Sequence, residues 1–360
     1  MHNSNANDGL DATSLGTLCQ LLSNESDHLS QTNEWPARQL AHCAQHDVFR
    51  WFVPSQYNGL GYSPLQIANG YIRIASACLT TAFVISQRTA ACKRIVASEN
   101  GELKSELLPK LAEGSIFTTV GISHLTTSHR HTEKPVLTAR QTGSNWVLDG
   151  FCPWVTGGRF ADTLVIGASV DDQQILIAVP SGLPGISIEP GISLVALSAS
   201  QTGRINFSNV VVPDRYVLQG PAEAVLKPTA TGPSTGGLET SSLALGLATA
   251  AINYIDVQSN NRPNLKPNLD ALQNELADLN SNLNSIAFGE EPVTKEQLRT
   301  ACNSFVMRST QSALLAAKGA GFVNSHPVGR WCREALFFLV WSCPQSVSDA
   351  NLCELAGLEI

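Results

Sequence analysis

The chain has 360 residues, enough for two or three packed units with substantial cores, and its 43% apolar and 15% charged content is that of a soluble globular protein. The formal net charge of −7 argues against nucleic acid or an anionic membrane surface as the main partner. The densest apolar run, ALFFLVW (335–341), falls far short of the roughly 20 residues a membrane span needs, and the polar start MHNSNANDGLDATS has no signal-peptide pattern, so a cytoplasmic location is expected.

Residues 1–115 read as helical. Leu15, Leu18, Leu22 and Leu29 recur near helical spacing, and YIRIASACLTTAFVISQRTAACKRIVAS (71–98) is a long apolar stretch whose length favours buried helices over strands. Between them VPSQYNGLGYSP (53–64) is rich in turn residues. GELKSELLPKLAEG (101–114) predicts one more amphipathic helix, stopped by Gly114. At Ile116 the texture changes. IFTTVGIS, PVLTAR, NWVLDG, DTLVIGASV, QQILIAVP, GISIEP and GRINFSNVVVP are short β-branched runs punctuated by Gly, Asp and Pro, spaced as in a small β-barrel or sandwich over 116–222. From 223 to 360 the pattern returns to helix. LETSSLALGLATAAINYIDVQ, NLDALQNELADLNSNLNSIAF, TKEQLRTACNSFVMRSTQSALLAAKG and VGRWCREALFFLVWS predict three or four helices with short connections, an antiparallel bundle. KPTATGPSTGG (227–237) reads as a linker. The expected fold class is α+β: an N-terminal helical domain, a middle β-barrel or sandwich domain and a C-terminal antiparallel helical bundle.

Nine cysteines are scattered without a CxxC pair, which favours reduced thiols over a disulfide frame or a zinc knuckle. His42 and His46 stand one helical turn apart, but Cys-Ala-Gln between them is not the Glu-bearing HExxH pattern, and no metal is expected.

The order helical, β, helical bundle and several local motifs resemble the acyl-CoA dehydrogenase superfamily, and the similarity covers most of the chain. VPSQYNGLGYSP looks like that family's VPxxxGGxG turn, LLPKLAEG resembles the segment leading into its β domain, and SSLALGLATAAINYI (241–255) and NELADL (274–279) are similar to its bundle. WVTGGRFADTLVIGA is the most specific match, similar to the family's W-[IV]-T-N-x-x-x-A-D pattern. The resemblance implies FAD as cofactor, an acyl thioester (acyl-CoA or a carrier-bound acyl group) as substrate, and a homodimer or homotetramer.

In the family this strand lies against the isoalloxazine ring, so the resemblance gives Trp154 and Thr156 those roles. A planar ring needs an apolar face to stack on and a donor near its reducible nitrogen. By strand alternation Val155 points the other way and belongs to the core, and the whole stretch is expected to form a pocket wall inside a β hairpin. That Trp154 simply fills the barrel is the alternative. The family's second flavin segment, T-E-P…G-S-D, falls near GISHLTTSHR (121–130). There Ser123-His124 takes the Thr-Glu place and Thr127-Ser128-His129 approximates Gly-Ser-Asp. The hydroxyls of Ser123 and Ser128 survive as candidate flavin contacts, and His129, Arg130 and His131 form a basic cluster suited to an anion, or a solvated loop.

Two departures weaken a simple dehydrogenase assignment. Aligning Arg333-Glu334-Ala335 with the family's R-D-A puts Ser342 where its catalytic glutamate stands, and a serine accepts no α-proton near neutral pH without a base of its own. The other family place for the base, on the first bundle helix, falls on Gly236. Glu239, three residues on, is the candidate base, or else a first-turn acid at a helix N-terminus. The family arginine that contacts the pyrophosphate aligns with Ser259, with Arg262 close by. Its Gln-x-x-Gly-Gly-x-Gly segment, which reaches a neighbour's cofactor, becomes LAAKGAGF (315–322). Gly319 and Gly321 remain, and Lys318 either restores positive charge there or is a helix-end cation. Three readings follow: an FAD-dependent acyl thioester dehydrogenase, a flavin monooxygenase on the same fold, and a flavin-poor binding or assembly protein.

Overall fold

The computed structural model describes residues 12–125, 135–226 and 237–358, so the linker read at 227–237 lies outside the described residues except for Gly237. Helices come first: α1 (Ala12–Thr32), α2 (Ala37–Gln45), α3 (Pro64–Ala77), α4 (Leu79–Ala97) and α5 (Gly101–Glu113). Strands follow: β1 (Thr118–Gly121), β2 (Leu137–Thr142), β3 (Asn145–Val155), β4 (Thr163–Val170), β5 (Gln173–Pro180), β6 (Ile186–Ile188), β7 (Gly203–Pro213) and β8 (Val217–Ala222). The chain then returns to helix in α6 (Leu238–Ser259), α7 (Lys266–Ala287), α8 (Lys295–Ala317), α9 (Pro327–Ala335), α10 (Phe337–Val340) and α11 (Gln345–Leu355). The architecture is the α+β order that the sequence pattern predicts.

Local chemistry explains the boundaries. Ser63 accepts from the Gln66 N–H while the Gln66 side chain accepts from the Ser63 N–H, a reciprocal cap that starts α3 at Pro64. Extended Cys78, at φ −155°, divides the apolar stretch into α3 and α4. In the preceding turn a Cβ on Gly59 would lie 1.7 Å from the Val53 carbonyl oxygen, so only glycine fits. Asn58 there adopts φ 65°, the left-handed region that asparagine tolerates.

The chain packs as two compact units. One unit contains Met1–Gln31, Tyr62–Ala82 and Gly236–Ile360. Its centre is α6, apolar around its circumference and buried along most of its length, with α3 and α8 both packed against it. Gly246 permits the α3 contact, because a Cβ there would stand 2.5 Å from the Ile72 carbonyl oxygen.

The other unit, Thr32–Gly61 and Phe83–Thr235, holds a single 8-stranded sheet in the order β6-β7-β3-β2-β4-β5-β8, with β1 parallel to β4. Alternate residues of the central strands enter two cores. Leu148, Cys152, Val155, Leu164, Ile166, Ile177 and Ile205 pack together on the inner face of the curled sheet. Val165, Leu176 and Ala178 point the other way and pack with Ile95, Leu108 and Leu111 of the helices. The expected barrel or sandwich is thus one curled sheet with a helical layer on its outer side.

Three details differ from the sequence reading. The stretch after Val155 is not a hairpin: β3 pairs with β2 and β7, whereas β4 pairs with β1, β2 and β5. Gly157 donates to the Ser200 and Gln201 carbonyls while Asp162 donates to that of Phe117, so 156–162 passes from one neighbouring segment to another. EALFFLVW is broken by a turn at Leu336 into α9 and α10. Strand β8 and helix α11 had no sequence counterpart. All nine cysteines are free, and burial pushes the Cys92 thiol up to about 11 and Cys302 up to about 12.

Candidate functional site

β3 ends with Trp154 and Val155 on opposite faces. Val155 lies in the inner core at 1% exposure, while Trp154 is 50% exposed, unusual for a residue with so much apolar area. Thr156, the first residue of the turn after β3, is buried. Its hydroxyl oxygen lies 2.9 Å from Thr202 Oγ1, which lies 2.9 Å from Ser200 Oγ. The chain then turns at Gly157, with φ 64°. A Cβ on Gly157 would sit 2.4 Å from Cη2 of Trp35, so the glycine serves internal packing. Trp35 in turn stacks on Phe160 with centroids 4.5 Å apart and meets Phe117 edge-on at 5.3 Å. Asp162 Oδ2 accepts the Phe117 N–H at 2.8 Å, which seats the Ala161-Asp162 pair beside β1 as a structural clamp. Neither Trp35 nor the Thr202–Ser200 pair was found from the sequence; only their remoteness along the chain hid them.

The Ser123–Leu125 turn packs against β3, which brings half-buried Ser123 to the strand that carries Trp154 and leads into Thr156. His124, in the family's glutamate place, is buried with Nε2 2.7 Å from the Gly167 carbonyl oxygen, so it holds the turn to β4. Ser128, with Thr127, His129, Arg130 and His131, lies outside the described residues.

The remaining candidates stand in the other unit. Lys318 caps α8, exposed, with φ 54° and ψ −148°. Gly319 has open space where a Cβ would go, whereas a Cβ on Gly321 would meet that of Ala317 at 2.7 Å. Gly319 therefore leaves the backbone approachable, and Gly321 is needed for packing. Arg262 donates to the Ala316 carbonyl at 2.5 Å and to Gln258 Oε1 at 3.2 Å, committing it to the end of α8.

Glu239 is half-buried in the first turn of α6, and exposed Ser342 follows α10 with φ 47°. Helix α8 ties these places to one end of the bundle. Cys302 hydrogen-bonds Ser241, two residues after Glu239, and Arg299 Nη2 donates to the Trp341 carbonyl at 3.0 Å, just before Ser342. Burial lowers the Arg299 guanidinium to about 10. Glu334, buried beside Arg330 and Arg333, has its carboxyl pushed above the usual range, chiefly by desolvation.

Residues 19–115 match the family model for the N-terminal domain of acyl-CoA dehydrogenases. The short-chain specific acyl-CoA dehydrogenase of Clostridium acetobutylicum is 24% identical over 336 residues, covering 85% of this chain and 86% of that protein. The mitochondrial short-chain enzyme of Mus musculus is 23% identical, covering 91% and 84%. Among solved structures, a glutaryl-CoA dehydrogenase from Mycobacterium smegmatis in complex with FADH2 superposes with TM-score 0.82 at 18% identity, over 98% of this chain and 97% of that one. Residues 19–115 thus form an acyl-CoA dehydrogenase N-terminal domain, and the chain as a whole has the acyl-CoA dehydrogenase fold. Ser342, which the sequence resemblance sets in the place of that family's glutamate, lies in a loop held by Arg299. The end of β3 offers groups that fit FAD: an exposed indole face, and close to it in sequence Thr156, one of a chain of three hydroxyls with three protons for two internal links.

Proposed function

We infer that this protein is an FAD-dependent oxidoreductase of the acyl-CoA dehydrogenase type, acting on an acyl thioester carried by CoA or by a carrier protein. The observation that carries this reading is half-exposed Trp154 at the end of β3, with the Thr156 hydroxyl two residues on. Bound FAD would supply the hydride acceptor. Trp154 offers its ring an apolar face and Thr156 a donor. Ser123 and Ser128 offer hydroxyls to the ring edge or a phosphate. Lys318 presents a cation and Gly319 an open backbone to the pyrophosphate, in the family's manner across a subunit boundary. Glu239 is assigned the α-proton, since it shares the end of the bundle with Ser342.

A second reading, flavin–oxygen chemistry without an α-proton base, is favoured by the hydroxyl of Ser342 where the family has its carboxylate. We place the protein in the cytoplasm as a homodimer or homotetramer; among the described residues no helix is long and apolar enough to cross a membrane. The test is anaerobic bleaching of protein-bound FAD by a panel of acyl thioesters, with wild type and Glu239→Gln. Bleaching by wild type that the variant loses, by about a hundredfold or more in rate, is the expected result. If no thioester bleaches the wild-type flavin, the dehydrogenase reading falls and the oxygen-dependent one takes its place.

A further inference from the structure

We propose that Ser200 and Thr202 are positioning residues that set the direction of the Thr156 hydroxyl proton, making Thr156 a fixed donor just after β3. This rests on the flavin reading above. Ser200, Thr202 and Thr156 form a chain of three hydroxyls with two links of 2.9 Å. Among the described residues each hydroxyl bonds only within this chain. Three protons serve two links, so one proton is left over; on Thr202, buried at 6% exposure, it would be a donor without an acceptor, which leaves the two ends.

The two ends are not equivalent. Ser200 has 0% exposure, and a leftover proton there would be a buried donor without an acceptor. That direction is disfavoured by about tenfold or more. Thr156 is also buried, at 3% exposure, but it follows exposed Trp154 by two residues, and a ring bound there would accept its proton. Ser200 therefore donates to Thr202, Thr202 donates to Thr156, and the Thr156 proton points out of the chain.

The consequence is redox-specific. The reducible nitrogen of an oxidised flavin carries a lone pair and accepts a hydrogen bond, whereas in the reduced ring it carries a proton. A lone threonine hydroxyl rotates to suit either state. A hydroxyl held as a donor favours the oxidised ring. Thr202→Val keeps the shape of the side chain but frees Thr156 to accept.

The test measures FAD affinity in both redox states, together with the midpoint potential, for wild type, Thr202→Val, Thr202→Ser and Ser200→Ala. In Thr202→Val the preference for oxidised over reduced FAD falls about fivefold, and the potential moves to more positive values. Ser200→Ala moves it the same way, and Thr202→Ser stays with wild type. Should Thr202→Val fail to fold, Ser200→Ala carries the test. Equal weakening of both redox forms with an unmoved potential is what a purely structural pair would give, and it overturns this inference alone. A wild-type protein that binds no FAD overturns the flavin reading and this inference with it.

Discussion

Lys318 holds a backbone conformation, φ 54° and ψ −148°, that glycine adopts without strain and a side chain with a Cβ does not. The family has a glycine at this place, so the lysine costs stability in exchange for an exposed ammonium. Lys318→Gly should raise unfolding stability by about 1 kcal/mol, seen as a higher urea midpoint. The same variant should weaken FAD binding severalfold. An unchanged FAD dissociation constant would make Lys318 a helix-end cation near the α8 dipole and nothing more. Asn58 is the contrasting case: it too replaces a family glycine at positive φ, but asparagine enters the left-handed region at little cost.

At the scale of elements, the loop that carries Ser342 is held by a buried polar network. Asn303 of α8, at 0% exposure, accepts from Arg299 Nε at 2.9 Å. It donates at 3.0 Å to the Phe338 carbonyl of α10 and to Asn351 Oδ1 of α11. Asn351 donates back to the Thr300 carbonyl at 3.2 Å. One amide therefore joins three helices, and no apolar residue of its size can satisfy the groups around it. Asn303→Leu should destabilise the protein by about 3–5 kcal/mol, because it strands an amide oxygen and a guanidinium N–H and leaves the Phe338 carbonyl only a 3.4 Å bond from Arg299 Nη2. A loss below about 1 kcal/mol in urea unfolding would show that the network is not a determinant of bundle stability. The reciprocal cap at Thr294 and Gln297 sets the start of α8 and with it the register of Arg299 and Asn303.

For the whole molecule, the surfaces near both ends of α8 leave more apolar area in water than a monomer ordinarily does. Phe322 is 86% exposed, Leu315 80% and Val340 78%, with Leu352, Leu355 and Leu358 also exposed. Burying such residues between copies would contribute to the roughly 1,200–2,000 Å² of a stable interface. Sedimentation at micromolar protein should therefore give a dimer or tetramer, and a Phe322→Ser, Leu315→Ser double variant should shift it toward monomer. A clean monomer for wild type would count against the proposed assembly and against GAGF reaching a neighbour's cofactor.

What the sequence determined by itself was the order of elements. Helix and strand periodicities differ, so the changes near 116 and after 222 were legible, as were the stop at Gly114 and the core position of Val155. The resemblance carried by WVTGGRFAD also pointed to Trp154 and Thr156 before any contact was known. Pairing was another matter. Whether residues after Val155 form a hairpin depends on which strand lies alongside, and that is decided by hydrogen bonds to Ser200, Gln201 and Phe117, distant in the chain. Strand β8 is held by pairing with β5, with register shifts that leave no clean alternation to read. The direction of the Thr156 proton is likewise not a property of Thr156. It follows from two buried hydroxyls more than forty residues away, because hydrogen-bond partners are chosen by proximity in space, which only the tertiary structure decided.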